Sequence, residues 1–139
     1  MPRKKILIID DEPDVITYLT AVLEANGYDS FAVSEIKIAM DKVKEIHPDL
    51  ICLDIVMPGE TGISFYSKLR QEKSFDSIPV IIISGMVERE KFDFHSYVSD
   101  DSISKPECYI EKPINVDYFI QKVEELTSKK ILTKSREKK

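Results

Sequence analysis

Four short apolar runs in the 139-residue chain lead directly into a side chain that can do chemistry. Ile6–Ile9 runs into Asp10-Asp11, Leu50–Leu53 into Asp54, Val80–Ile83 into Ser84, and Cys108–Ile110 reaches Lys112. Polar residues commonly follow strands, so any one of these alone says little; gathered on one rim they describe a site. Three carboxylates crowded together repel, and one is forced to protonate unless a cation sits among them. Lys112 supplies one positive charge and a divalent ion two more, which together balance Asp10, Asp11 and Asp54. The donors at these positions are hard oxygens, with no His or Cys, which favours Mg²⁺ over Zn²⁺. Magnesium held by few carboxylates keeps positions open for water or a phosphoryl oxygen, so the chemistry expected is the handling of phosphate.

Positioning these groups requires elements whose ends meet. Ile6–Ile9, Leu50–Leu53 and Val80–Ile83 are continuous apolar runs rather than alternating ones, as strands buried on both faces should be. Helical patterns lie between them. Pro13 suits a first helical turn, and Val15, Leu19, Val22 and Leu23 follow helical spacing until Asn26-Gly27. Tyr28–Val33 reads as a weaker second strand, ending in Val33-Ser34 with no comparable chemical group. Ile36, Met40, Val43 and Ile46 trace a second helix closed by His47-Pro48. Pro58-Gly59 turns the chain, Ile63, Tyr66 and Leu69 line a third helix, and Met86–Tyr97 reads as helical. Val116, Phe119, Ile120, Val123 and Leu126 give an amphipathic last helix. Strand–helix alternation of this kind means an α/β fold with a parallel sheet, and right-handed crossovers place every strand's carboxyl end along one edge. Ligand chemistry in such sheets gathers there.

Composition agrees with one domain. Apolar residues are 42% of the chain and charged residues 32%, with 4 Gly and 7 Pro, which excludes collagen-like, low-complexity and disordered classes. No apolar run exceeds four residues, so neither a transmembrane helix nor the core of a signal peptide is expected, and the expected location is the cytoplasm. Cys52 and Cys108 sit in apolar runs without Cys-x-x-Cys spacing and are expected to be buried reduced thiols. From Lys129 onward there are six basic residues and one acidic, against 14 basic and 24 acidic before it. The acidic body argues against direct nucleic-acid binding by this segment. The expected organisation is a domain over residues 1–128 and a basic tail or linker over 129–139.

At this point the chain resembles the receiver domain of two-component response regulators, of the kind found in chemotaxis regulators. The residues that carry the resemblance are Ile8-Ile9-Asp10-Asp11-Glu12, Leu53-Asp54-Ile55-Val56-Met57-Pro58-Gly59, Ile82-Ile83-Ser84-Gly85 and Lys112-Pro113. The resemblance implies a flavodoxin-like, doubly wound (βα)5 fold, with five parallel strands in the order 2-1-3-4-5. It implies that Asp54 accepts a phosphoryl group from a phosphohistidine on a sensor histidine kinase or phosphotransfer protein. It further implies that Asp11 binds Mg²⁺ directly, Asp10 mainly through water, and the backbone carbonyl of Val56 completes the ligands. Lys112 would contact a phosphoryl oxygen, Ser84 would move to hydrogen-bond another, and Tyr109 would swing inward behind it. Pro113 would follow a cis peptide bond that aims Lys112. The output would be a change of binding face on the fourth helix, fifth strand and last helix, read by a downstream protein or an output domain of the same protein.

Two departures stand out. The segment between Ser84 and Lys112 is longer than the family usually shows and carries a second Lys-Pro pair, Lys105-Pro106. Lys105 follows Ser102-Ile103-Ser104, a poor buried strand, so Lys112 is the expected partner of Asp54. That segment's Phe92, Phe94 and Tyr97 point to a reshaped signalling face. Two other functions compete: a pseudo-receiver scaffold that only binds protein, and a Mg²⁺-dependent aspartyl phosphohydrolase. The scaffold requires a lost site residue, and none is lost; the hydrolase requires an enclosing cap that this length does not supply.

Overall fold

The computed structural model describes residues 3–55, 62–85 and 106–137, with side chains up to residue 128. Its strands are β1 (Lys5–Ile9), β2 (Asp29–Val33), β3 (Leu50–Asp54), β4 (Val80–Gly85) and β5 (Cys108–Lys112). They form one sheet in the order β2-β1-β3-β4-β5, and every pairing is parallel. The helices are α1 (Pro13–Ala25), α2 (Ile36–Ile46), α3 (Gly62–Gln71) and the last helix (Val116–Glu137). This is the doubly wound, flavodoxin-like arrangement. The helix expected over Met86–Tyr97, the Pro58-Gly59 turn, Val56, Met86 and Lys105 lie outside the described residues.

The unbroken apolar runs are explained by helices on both faces of the sheet. Leu7, Ile9, Ile51, Leu53, Val80 and Ile82 face one layer, packed with residues of α2 and α3. Ile6, Ile8, Cys52, Ile81, Ile83 and Ile110 face the other, packed with Leu19 and Leu23 of α1 and with Phe119, Val123 and Leu126 of the last helix. Alternate residues of a strand thus serve two different cores, which is why the runs are continuously apolar up to their carboxyl ends. Strand order reverses between β1 and β3, which are direct neighbours, and this is where open α/β sheets form a crevice.

Local chemistry sets the helix ends. Pro13 opens α1, and Gly27, at φ 91°, ends the turn that follows it. Arg3 crosses back to the same turn and donates to the carbonyls of Glu24 and Gly27 at 2.9 and 3.0 Å. His47 closes α2 with φ 49°, immediately before Pro48. The last helix runs on to Glu137, well past the apolar spacing that fades after Leu126; Ser128–Glu137 has no Gly or Pro, and its Lys, Leu, Arg and Glu residues favour helix. One expectation needs correcting. Cys52 is buried, but Cys108 is only half-buried because β5 is an edge strand. Among the described residues, no helix is long and apolar enough to cross a membrane.

Candidate functional site

Parallel pairing carries the ends of β1, β3, β4 and β5 to one edge. Asp10 follows β1, Asp54 ends β3, Ser84 lies in β4 and Lys112 ends β5. The register sets Asp54 opposite Ile83, one residue short of Ser84, and Gly85 opposite Lys112. Asp10, Asp54 and Ser84 are all buried, at 1%, 4% and 4% exposure, so these are not ordinary solvated loop residues.

Each acid is held differently. The Asp10 amide donates to the Val33 carbonyl at 3.2 Å, and its Oδ1 accepts the Glu12 amide at 2.9 Å. The side chain is therefore fixed by the bend that leads into α1. Asp54 is fixed through its backbone. Gly62, the first residue of α3, packs so closely that a Cβ there would lie 2.6 Å from the Asp54 carbonyl oxygen. Glycine alone fits this close approach. The Gly62 amide also donates to the Ile55 carbonyl at 3.3 Å.

Lys112 joins them. Its Nζ lies 3.6 Å from an oxygen of Asp10 and 3.6 Å from an oxygen of Asp54, and it donates a hydrogen bond to Glu12. The peptide bond between Lys112 and Pro113 is cis. Burial pushes the Asp10 carboxyl above its usual range, against the pull of the Glu12 amide and Lys112. Burial works to lower the Lys112 pKa, but the Glu12 hydrogen bond and the charges of Asp54 and Asp10 outweigh it, so the ammonium titrates above its usual value. The rim thus pairs a reluctant carboxylate with a firmly charged lysine.

Oxygen atoms of Asp10, Glu12 and Asp54 lie within 4.8 Å of one another. Three carboxylates and one ammonium leave two negative charges, and the donors are all hard oxygens, a set that fits a small divalent cation. Asp11, expected as the direct ligand, is half-buried and outside that group; Glu12, which sequence reasoning gave no role, is in it. Glu12 is the residue before α1 and makes no capping bond with its side chain, which leaves it able to reach Lys112. The signal that could have found it is the third consecutive acid ahead of Pro13. Gly62 also went unremarked in the sequence. Tyr109 packs, partly buried, against the α2/α3 layer.

Comparison with known proteins decides the family. Residues 6–124 match the response regulator receiver domain. The chain belongs to that family. Among curated relatives of this receiver domain, it is 36% identical over 105 residues to the alkaline phosphatase synthesis transcriptional regulatory protein PhoP of Bacillus subtilis, covering 75% of this chain and 43% of that protein. It is 33% identical over 104 residues to the phosphate regulon transcriptional regulatory protein PhoB of Escherichia coli, covering 74% and 45%. The receiver thus spans less than half the length of these relatives. A crystal structure of a CheY-like response regulator receiver domain protein from Methanospirillum hungatei has the same fold, with a TM-score of 0.81 at 22% identity over 95% of this chain and 99% of that one. Residues 6–124 are thus a signalling receiver domain of two-component systems.

Proposed function

We propose that Asp54 is the phosphoacceptor of this receiver. In the transfer, an Asp54 carboxylate oxygen bonds to phosphorus as the P–N bond of a phosphohistidine breaks, and the electron pair leaves with the imidazole nitrogen. The observation that carries the reading is the ammonium of Lys112 set 3.6 Å from both Asp54 and Asp10 amid three converging carboxylates. Lys112 neutralises charge on the transferring group, and Ser84 and Tyr109 respond to the new phosphoryl oxygens. Asp54, Asp10 and Asp11, with the backbone carbonyl of Val56, would hold Mg²⁺, which would draw negative charge from the phosphoryl oxygens when bound.

The donor in this reading is a histidine kinase or phosphotransfer protein in the cytoplasm. The output is a changed protein-binding face, used by a separate target or by an output domain of the same protein. Relatives named as transcriptional regulators support the second route, with residues 1–128 as the receiver and 129–139 as the run toward the output. Intact-protein mass after incubation with acetyl phosphate tests the acceptor. One phosphoryl adduct is expected, dependent on Mg²⁺ and missing in Asp54→Asn; an adduct that survives in the variant sinks the assignment. The receiver resemblance puts Val56 and Met86 where the family tunes dephosphorylation; both are apolar and offer no group to orient an attacking water, so the adduct is expected to decay slowly in the absence of any phosphatase. Rapid decay of the purified phosphoprotein contradicts that.

A further inference from the structure

Three carboxylates contend for Lys112, and they are not equivalent. Asp10 and Asp54 are buried, with side chains 2% and 4% exposed, and both lie at 3.6 Å, outside hydrogen-bond range of the ammonium. Glu12 is 56% exposed and takes the hydrogen bond itself. Asp10 cannot turn away, because its Oδ1 is tied to the Glu12 amide. Glu12 can: its side chain caps nothing, reaches in from the solvent side, and can rotate into water at little cost.

We propose that Glu12 is the exchangeable counter-ion of Lys112, holding the ammonium toward solvent in the resting state and releasing it when a phosphoryl group arrives on Asp54. The inference rests on the phosphoacceptor reading of Asp54. A phosphoryl group adds oxygens on the Asp54 side of the lysine and so competes with Glu12 for its N–H donors. The added oxygens lie on the Asp54 side, away from Glu12, so the ammonium that turns to meet them loosens its pair with Glu12. Glu12 therefore acts as a positioning residue that biases the receiver toward its unmodified state.

Beryllofluoride, which mimics a phosphoryl group on a carboxylate without covalent transfer, gives an equilibrium readout. Its affinity is measured by NMR titration at saturating Mg²⁺ for wild type, Glu12→Gln and Asp14→Asn. Asp14 lies in the first turn of the same helix, so its variant removes the same charge without touching the lysine pair. Glu12→Gln is expected to bind about two- to fivefold more tightly than wild type, the range an exposed ion pair supports, and Asp14→Asn to change little. Weaker binding in Glu12→Gln overturns the proposal and marks Glu12 as a ligand of the cation instead. Unchanged binding overturns it too, as does an equal gain in Asp14→Asn, which reduces the effect to general charge. A wild-type chain that takes up no beryllofluoride removes the phosphoacceptor reading first and this inference with it.

Discussion

The two ends of the central sheet treat buried charge in opposite ways. At the carboxyl end, Asp10, Glu12 and Asp54 outnumber Lys112, and the ammonium stands 3.6 Å from two of its three partners. At the amino end, Arg70 is as deeply buried, with 2% of its side chain exposed, but its donors are matched. Its Nε donates to the Tyr66 hydroxyl at 2.9 Å, and Nη1 donates to the carbonyls of Asp76 and Ile78 at 3.1 and 2.6 Å. Nη2 donates at 2.9 Å to Glu107, whose same oxygen accepts the Val80 amide at 2.8 Å. The guanidinium also lies over the Tyr66 ring, 4.8 Å from its centre. One end thus fastens α3 to the starts of β4 and β5; the other leaves charge uncompensated where Ser84 and Lys112 emerge from the same two strands. Full satisfaction makes a rigid joint, and deficit makes a binding site.

The largest expected effect comes from breaking the satisfied end. Arg70→Met should destabilise the domain by about 3 kcal/mol, the low end for breaking a buried ion pair because Glu107 retains some solvent. Urea unfolding measures it. A loss under 1 kcal/mol would mean that the joint is no stronger than a surface pair and that the contrast between the two ends is empty.

A substitution at the deficient end should act with the opposite sign. Burial raises the Asp10 pKa, so the folded protein holds that proton more tightly than the unfolded chain. Its contribution is therefore favourable only below the ordinary carboxylate pKa of 3.8, and is lost as pH rises through the elevated folded value. At neutral pH the charged group is a cost. Asp10→Asn keeps an oxygen to accept the Glu12 amide and should stabilise the metal-free protein by about 0.5–1 kcal/mol, while weakening Mg²⁺ binding. Thermal melts with and without Mg²⁺ separate the two; a variant less stable than wild type without metal would contradict the cost assigned to Asp10.

The contrast also explains what the sequence could reveal. The strands were legible because a sheet covered on both faces needs continuous apolar runs, and Ile6–Ile9, Leu50–Leu53 and Val80–Ile83 have no other simple reading. Asp10, Asp54 and Lys112 were legible because strand ends in a parallel sheet share an edge. Arg70 was not, although it follows Ile63 and Tyr66 at helical spacing on an otherwise apolar stripe. An arginine there is buried only because Glu107, 37 residues away, comes to meet it, and no local pattern encodes that distance. Glu12 was missed for a similar reason: its partner is 100 residues away, and its reach depends on where α1 begins. Where the last helix ends was hidden too, since helix-forming residues continue after the packing that fixes its register has stopped.

A last effect tests the charge of Lys112 by titration. Burial favours the neutral amine of Lys112, yet the Glu12 hydrogen bond and the carboxylates of Asp54 and Asp10 prevail and raise its pKa above 10.5. The stability these partners supply is complete below the unfolded value and is lost as pH rises through the higher folded one. Lys112→Met should therefore be less stable than wild type by about 1 kcal/mol at neutral pH, a modest figure because Glu12 is solvent-exposed. The gap should close under alkaline conditions, when the wild-type amine is also neutral. Comparing the two proteins cancels shared alkaline losses, including the buried hydroxyl of Tyr28, whose pKa burial also raises. Chemical denaturation at a series of pH values follows the gap. Should it persist undiminished after the lysine has lost its proton, the charge of Lys112 does not set the gap, and the rim is not held together by charge.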